Sequence, residues 1–403
     1  MNKRQRGPRL VKTSRLRVES DIAVGEQFSG RAKALAATGN ALVEHPSGVV
    51  FFVAGAWQDE LISVRVQEVK KGFGSAELLD VLEASPHRRT APCIHHGVGK
   101  DACGGCPWMF MDEPAQLQAK QVRVQQALAR IDSKVEVAPI WASKNALGYR
   151  IRAQLKTDGE QLGFVPSGQK HLAPVQDCLV LTAKNRQTLI QLRGLLPNAD
   201  WRPKAKQRLT TLDIDENRDA HSVSVNQRLP FQQANAEQNQ RIRDWLSDRL
   251  RTIPVQDKAL ELFAGSGNFT EILSQAAFKQ ILAVELMPEA VAALNAKQLV
   301  NVQAQTCDLF NQEAFADLVE QNQDANLLVL DPPRDGLKLK EGLLRKKNKS
   351  LRDIIYISCD LATFSRDMAD LYQRGFILKQ VQPVDMFPQT PHVELLAHLQ
   401  RKH

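Results

Sequence analysis

The sequence contains six unevenly spaced cysteines: Cys93, Cys103, Cys106, Cys178, Cys307 and Cys359. No apolar leader follows the basic first residues, so we expect a cytoplasmic protein with reduced thiols. In that setting metal binding or catalysis is more common than a disulfide framework. The cysteines are therefore the first candidates for chemistry.

Cys359 ends the apolar run IIYISC and precedes the stretch DLATFSRD, which is typical of a helix start. A helix N-terminus favours the thiolate form of a nearby cysteine. Most free cysteines are inert core residues, and this is our interpretation of Cys307. The position of Cys359, at the end of a predicted strand, indicates a nucleophile instead.

A ligand site is predicted where ALELFAGSGNFTEIL turns from a strand into a helix at Gly265 and Gly267. The third glycine of the dinucleotide fingerprint is missing, which argues against NAD. Glu285 ends the next strand, where an acid can accept the ribose hydroxyls of an adenosine. Asp308 ends a third strand and is placed to bind an adenine amino group. These strand ends together predict an adenosine-containing cofactor.

Two further acids complete a reactive group. Asp331 ends the strand LLVLD and is followed by two prolines that stiffen the turn, and Glu394 precedes the apolar strand ELLAHLQ. Methylation of carbon 5 of uracil needs such a set, because a thiolate must add to carbon 6 and a base must then remove the carbon 5 proton. We predict Glu394 as that base, with a solvated surface acid as the alternative.

The elements that position these residues alternate between strands and helices from residue 231 onward, which predicts an α/β doubly wound sheet. Residues 18–85 show short apolar stretches broken by Gly and Pro, typical of a small antiparallel barrel. Apolar positions at helical spacing predict a helix over 114–131. We predict four regions: a basic tail (1–17), a barrel (18–89), a mixed central domain with the cysteine cluster (90–230), and the α/β domain (231–403).

The charge of the chain indicates its partner. The formal net charge is +8, and the first 17 residues carry seven Lys or Arg and no acid. Basic surfaces gain affinity for nucleic acids through counterion release, so we expect RNA contact by this tail and by the basic stretch 338–350. No run approaches the about 18 apolar residues of a membrane span.

The segments FQQAN, ELFAGSGNFT, AVE, DPPR, YISC and DMFPQTPHVE occur in one order, and with them the chain resembles the RNA 5-methyluridine methyltransferase family. The resemblance is densest over 231–403. The earlier regions resemble the ribosomal-RNA branch, which has an N-terminal TRAM barrel and a cysteine-bound 4Fe-4S cluster. The family implies a Rossmann-like class I fold dependent on S-adenosylmethionine.

The resemblance assigns roles to individual residues. Cys359 is implied as nucleophile and Glu394 as general base. The cofactor-binding residues that it implies are Gln233, Phe263, Asn268, Glu285, Asp308 and Asp331. The cluster ligands that it implies are Cys93, Cys103, Cys106 and Cys178.

Two departures from the family pattern bear on these roles. The usual Ser-Cys-Asn-Pro is here Ser358-Cys359-Asp360-Leu361, and the added carboxylate is expected to raise the pKa of the thiol. Nine residues instead of five lie between the first two cluster cysteines, with His95 and His96 in the enlarged loop. Longer loops cost little closure entropy, so four thiolates still suit a 4Fe-4S cluster, with zinc as the alternative.

The expected substrate is a uridine of large-subunit (23S) ribosomal RNA, which flips into the pocket at Cys359. A transfer-RNA uridine methyltransferase and a non-catalytic RNA-binding module are the alternatives. We expect a monomer that needs no obligate protein partner and does not bind a membrane.

Overall fold

The computed structural model describes residues 22–99, 101–227, 232–339, 344 and 350–402. The predicted basic tail, Phe231 and most of the basic stretch 338–350 lie outside these residues. The described residues form two compact units, 22–36 with 40–86, and 37–39 with 87–402. Within them, every helix is too short or too polar to cross a bilayer.

The first unit contains a closed five-stranded barrel of strand order β1-β2-β3-β5-β4. Its strands are β1 (Gln27–Leu35), β2 (Ala41–Glu44), β3 (Val50–Val53), β4 (Leu61–Lys70) and β5 (Phe73–Glu83). Alternate side chains such as Val43, Phe51 and Ile62 fill the interior, as the two-residue period of a strand requires. The predicted barrel is confirmed.

The expectation of a purely antiparallel barrel is wrong in one place, because β3 and β5 pair in parallel. All other neighbours in the barrel are antiparallel. A closed ring with an odd number of strands cannot alternate direction all the way round. One parallel pair is therefore unavoidable.

The second unit begins with helix α1 (Glu113–Ala129), followed by a sheet and helix α2 (Ala183–Gly194). The α1 prediction is confirmed: Asp112 caps the helix by accepting from the Ala115 amide (2.9 Å), and Pro114 occupies its first turn. The sheet has the order β10-β9-β6-β7-β8 and is antiparallel throughout. Its strands are β6 (Arg152–Thr157), β7 (Leu162–Phe164), β8 (Ala173–Pro174), β9 (Thr210–Asp215) and β10 (Ser224–Val225).

The rest of the unit alternates strands and helices, as predicted for an α/β doubly wound sheet. Its helices are α3 (Ala236–Arg251), α4 (Thr270–Ser274), α5 (Pro288–Asn295), α6 (Gln312–Gln321) and α7 (Leu361–Gln373). Its strands are β11 (Lys258–Leu262), β12 (Gln280–Glu285), β13 (Val302–Thr306), β14 (Leu327–Leu330), β15 (Asp353–Ser358), β16 (Phe376–Val384) and β17 (Glu394–Arg401).

These seven strands form one sheet of order β13-β12-β11-β14-β15-β17-β16. The first five in that order are parallel, and β17 runs antiparallel to both β15 and β16. The two faces of β14 enter separate cores, with Leu328 and Leu330 in one and Leu327 and Val329 in the other. Burial on both faces explains why this strand is apolar without alternation.

Candidate active site

The carboxyl ends of five parallel strands meet at one edge of the sheet. The register pairs Leu262 with Val284 on one side and with Leu330 on the other, and Leu330 with Tyr356. The predicted residues at or just after these strand ends therefore share the edge: Phe263, Glu285, Asp308, Asp331 and Cys359. Open α/β sheets bind ligands at such an edge.

The antiparallel strand β17 brings the predicted base to the predicted nucleophile. Ser358 pairs with Leu395 in the ladder, so the same register sets Cys359 opposite Glu394. Side chains directly opposite in an antiparallel pair have Cβ atoms about 4.5–5.5 Å apart. The end of β15 and the start of β17 thus place a thiol beside a carboxyl group.

The turn after β11 positions the Glu285 carboxylate. Phe263 (φ +65°), Gly265 (+55°) and Gly267 (+91°) all adopt left-handed backbone conformations, which bring the Gly265 amide to Glu285. Glu285 accepts from the amides of Gly265 and Met287, each at 3.0 Å. Its remaining lone pairs are available to a ligand.

Two aromatic rings flank this edge. The rings of Phe263 and Phe310 lie 5.9 Å apart, centroid to centroid, and Asp308 accepts from the Phe310 amide at 2.9 Å. Phe310 was missed by the sequence reasoning. Its position two residues after Asp308 was the available signal.

Gln233 and Asn268 lie at the start of the α/β domain and before α4. Gln233 is buried, two residues before Asn235, which caps α3. Asn268 exchanges two side-chain hydrogen bonds with Asn239 (2.9 and 3.0 Å), and Arg243 donates to its carbonyl. The Asn268 amide is thus tied to α3 rather than directed at the strand edge.

Three carboxyl groups with raised pKa values lie in this region: Glu261 and Glu394 are buried, and Asp331 is half-buried. Burial raises the pKa of Asp331 to about 7, and burial together with Asp331 raises that of Glu394 to about 8, which Arg334 partly counters. Glu261 inside β11, also missed by the sequence reasoning, has a pKa raised to about 8 by burial although Thr270 donates to it at 2.6 Å. A Glu within the otherwise apolar ALELF was the signal for it.

The thiol of Cys359 is half-buried and held neutral by its surroundings. Burial, then the charges of Glu394 and Asp331, raise its pKa to about 12, whereas Arg334 lowers it. Asp360 also raises this pKa, in the direction predicted from the sequence, and it caps α7 by accepting from the Thr363 amide at 2.9 Å. Cys307 lies in the hydrophobic core, as predicted.

His392 is a structural neighbour of the site. Burial, followed by the nearby cation Arg334, lowers its pKa to about 4, so the ring is neutral at physiological pH. It meets the Phe387 ring edge-on, with centroids 6.2 Å apart. We assign it no ligand.

The four cysteines of the predicted cluster are close enough to influence one another electrostatically. Burial and the charge of Cys93 raise the pKa of Cys103, and burial and Cys103 raise that of Cys178 to about 11. For Cys106, the raised pKa reflects burial first and then Cys178, Cys103 and Cys93. Four neighbouring, half-buried thiols fit a soft metal centre, although no group within the described ranges is arranged around a single metal ion.

The two histidines of the enlarged loop bind backbone groups next to cluster cysteines. His95 Nε2 accepts from the Gln176 amide at 2.8 Å, and His96 Nδ1 contacts the Cys106 carbonyl oxygen at 3.1 Å. These contacts order the loop around the thiols.

The role of Asp360 can be tested by two substitutions. Asp360→Asn keeps the cap but removes the negative charge beside Cys359, so we expect a lower thiol pKa and about two- to fivefold faster alkylation at neutral pH. Asp360→Ala also loses the cap, which costs about 1 kcal/mol of stability. Iodoacetamide labelling followed by peptide mass spectrometry measures the rate at Cys359. An unchanged or slower rate in Asp360→Asn would contradict this account.

The buried carboxyls predict an unusual pH dependence of stability. The pKa of Glu394 in the folded protein is about 8, whereas that of a Glu in an unfolded chain is about 4.3. The contribution of Glu394 to folding stability is therefore fully present below the unfolded pKa and is lost as the pH rises through the folded pKa. Without ligand, Glu394→Gln should raise the melting temperature more at about pH 9 than at about pH 5. Glu320→Gln, at an exposed position, is the control. An equal change at both pH values would show that Glu394 ionises normally.

A solved structure shares the fold of this chain. The structure of the tRNA (uracil-54, C5)-methyltransferase of Pyrococcus abyssi in complex with S-adenosyl-L-homocysteine aligns with a TM-score of 0.66 at 18% sequence identity, over 92% of this chain and 100% of that one. At this identity the likeness shows a shared fold.

Sequence comparison identifies the protein family. The family model described as tRNA (Uracil-5-)-methyltransferase matches residues 210–402. An uncharacterised RNA methyltransferase of Nitrosomonas europaea is 39% identical over 92% of this chain and 96% of its own length. The 23S rRNA (uracil(1939)-C(5))-methyltransferase RlmD of Tolumonas auensis is 31% identical over 88% of this chain and 92% of its own length. Near full-length similarity at these identities shows that the chain belongs to the RNA (uracil-C5-)methyltransferase family.

Proposed function

We propose that the protein methylates carbon 5 of a specific uridine in 23S ribosomal RNA, with Cys359 as covalent nucleophile and Glu394 as general base. The observation that carries the proposal is the register of β15 and β17, which sets the Cys359 thiol opposite the buried Glu394 carboxyl group. Uracil-C5 methylation needs these two groups on the same substrate ring.

S-adenosylmethionine would supply an electrophilic methyl group bound to a positively charged sulfur. Our assignment of its binding residues rests on the strand edge for Phe263, Glu285, Asp308 and Asp331, and on the family resemblance alone for Gln233 and Asn268. The Glu285 carboxylate suits ribose hydroxyls, the Phe263 and Phe310 rings suit a flat base, and the Asp331 carboxyl suits a nearby cation. Asn268, with its amide engaged by Asn239, would act by fixing the turn.

In the proposed reaction the Cys359 thiolate adds to carbon 6, and the electron pair displaced onto the uracil ring lets carbon 5 attack the methyl group. The bond between that methyl group and the sulfonium sulfur would break at the same time, with its electrons going to sulfur. Glu394 then takes the carbon 5 proton. The carbon 6–sulfur bond breaks, its electrons return to sulfur, and the double bond between carbons 5 and 6 is restored. Arg334 favours the thiolate in the first step, because it lowers the pKa of Cys359.

The choice of 23S ribosomal RNA rests on the relatives. The Tolumonas auensis enzyme, named for that substrate, is similar over nearly the whole chain. The solved transfer-RNA enzyme is more distant, at 18% identity. Transfer RNA therefore remains the alternative that an experiment must exclude.

We further propose that Cys93, Cys103, Cys106 and Cys178 hold a 4Fe-4S cluster that orders this part of the chain. Around one zinc ion, with Zn–S bonds of about 2.3 Å, the sulfurs would stand about 3.8 Å apart. In a 4Fe-4S cluster each cysteine binds a different iron, so the sulfurs spread further. The four thiols lie close enough to interact electrostatically, and the resemblance to the ribosomal-RNA branch favours the cluster over zinc.

The proposed reaction predicts label transfer to ribosomal RNA. Purified protein, methyl-labelled S-adenosylmethionine and unmodified large-subunit, small-subunit or transfer RNA are incubated, and 5-methyluridine is measured by mass spectrometry. We expect labelled 5-methyluridine in large-subunit RNA, with Cys359→Ala reduced by at least about 10³-fold. The matched Cys307→Ala, which alters a core thiol, should keep most of the activity.

The other outcomes of this experiment are informative. Label confined to transfer RNA would replace the proposed substrate. No label in any RNA from folded wild-type protein that binds cofactor would overturn the catalytic proposal in favour of an RNA-binding module. Equal activity of Cys359→Ala and wild type would remove Cys359 as nucleophile.

The cluster proposal predicts the metal content. Protein purified without oxygen should contain about four iron and four acid-labile sulfide per chain, and little zinc. Cys178→Ser should lose most of the iron, whereas Cys307→Ala should retain it. Elemental analysis and sulfide assay measure both. About one zinc per chain, lost in Cys178→Ser, would establish the alternative.

A further inference from the structure

The loop 385–393 between β16 and β17 delivers Glu394 to the site. Val384 pairs with Glu394 in the ladder, so the loop leaves the sheet and returns at the position of the base. Loops at sheet edges usually satisfy their backbone groups with water or with each other. The backbone of this one is bonded instead by groups from several distant segments.

One face of α1 provides three of these groups. Gln116 accepts from the Gln389 amide at 2.9 Å, Lys120 donates to the Phe387 carbonyl at 3.1 Å, and Arg123 donates to the Pro391 carbonyl at 3.0 Å. Positions 116, 120 and 123 recur at helical spacing, so α1 presents one polar stripe to the loop.

The other groups come from the start of α3 and from Trp108 and Tyr149. These two residues belong to residues 93–180, which contain the four predicted cluster cysteines and are called the cysteine segment below. The side chains of Gln238 and Asn235 donate to the carbonyls of Asp385 (3.1 Å) and Met386 (3.4 Å). The Tyr149 hydroxyl donates to the Pro388 carbonyl (3.3 Å), and the Trp108 amide donates to that of Gln389 (3.0 Å). The consecutive carbonyls 385–389 are therefore each bonded from outside the loop.

Among these groups, the Lys120 ammonium group is the one whose burial costs the most desolvation free energy. Its side chain is fully buried and forms an ion pair with Asp385 (Nζ to Oδ1 2.5 Å). Burying an ion pair is weak evidence for stability, because desolvation offsets the attraction, and its best-attested role is to fix one arrangement. Here the arrangement that it fixes is the start of the loop that carries Glu394.

The cysteine segment is linked to the same loop. Tyr149 packs with Met109 and Val180 against Cys93, Cys106 and Cys178, and its hydroxyl reaches Pro388. Trp108, which bonds Gln389, lies two residues after Cys106. The predicted cluster ligands and the base thus share a short chain of contacts.

We propose that this set of donors is a clamp that positions Glu394, so that Lys120 and Tyr149 govern proton removal from carbon 5 rather than methyl transfer. The inference rests on the proposed function. Cys359 follows the strand β15, which pairs in parallel with β14, and precedes the capped helix α7. Apolar side chains of α1 pack against α7, but none of the hydrogen bonds of the clamp described above reaches β15 or α7. A loosened clamp therefore moves the base and leaves the nucleophile in place.

The intermediate before proton removal carries the new methyl group and is still bonded from carbon 6 to Cys359. If Glu394 is displaced, its carboxylate takes the carbon 5 proton slowly and the carbon 6–sulfur bond persists. Methyl label then accumulates in a denaturant-stable protein–RNA complex. The ratio of label in this complex to label in free RNA is a measure that a general loss of folding does not raise.

The test uses full-length protein purified without oxygen, the RNA that wild type methylates, and labelled S-adenosylmethionine in a single turnover resolved on denaturing gels. Tyr149→Phe removes one hydroxyl and keeps the ring, and Lys120→Met removes the buried charge. We expect both to raise the ratio by about 10- to 100-fold, as a base displaced by about 1 Å would. If Lys120→Met fails to fold, Tyr149→Phe decides.

Two controls separate the possible failures. Thr157→Val removes a buried hydroxyl in β6 that accepts from the Gly159 amide (2.9 Å), outside the loop and outside the elements that carry Cys359, and its ratio should stay at the wild-type value. Glu394→Gln should trap the complex.

If Glu394→Gln traps the complex but the Tyr149 and Lys120 variants keep the wild-type ratio, the clamp inference is overturned and the proposed function stands. The same holds if these variants lose complex and product in parallel while remaining folded. If Glu394→Gln releases product like wild type, the base assignment falls and the clamp falls with it. No methylation by wild type overturns both.

Discussion

The antiparallel pairing of β17 with β15 is the constraint on which the site depends. A purely parallel sheet places strand ends on one edge and strand starts on the other, so a residue that begins a strand cannot meet one that ends its neighbour. Reversing the last strand removes this restriction. Because the ladder is continuous from Asp353–Gln400 to Ser358–Leu395, a shift of one residue would turn Glu394 to the opposite face of the sheet.

The same pairing makes the loop 385–393 important, because the chain must leave the sheet after Val384 and return in register at Glu394. A loop of this length has many alternative conformations unless other groups restrain it. The bonds from α1, α3 and the cysteine segment select one of them. This explains why polar residues, including a lysine, are buried in α1, where the helical pattern alone would favour apolar side chains.

The sequence was most informative where the signal is local. Apolar runs ending in Gly, Asp, Glu or Cys predicted the strands and the residues at their ends, and Pro114 with the apolar spacing after it predicted the start of α1. Glu261 was missed because a single carboxyl in an apolar strand looks like an edge position until both faces are known to be buried. Lys120 was missed for a related reason, since its partner Asp385 is 265 residues away and no periodicity connects them. The parallel pair in the barrel follows from closure, which is a property of the whole sheet.

The charge balance of the site gives the proposed reaction an order. In the absence of ligand, burial favours the protonated forms of Asp331 and Glu394 and the neutral thiol of Cys359, with Arg334 opposing this for the last two. A bound sulfonium would favour the carboxylate forms, since an opposite charge nearby lowers the pKa of an acid. Methyl transfer would turn the sulfonium into a neutral thioether, so the proposed base Glu394 would then regain its preference for a proton. An ionised Glu394 also disfavours the thiolate, so the base is best unprotonated after the thiol has been consumed in the bond to carbon 6. Proton removal following methyl transfer is therefore the sequence that this electrostatic arrangement supports.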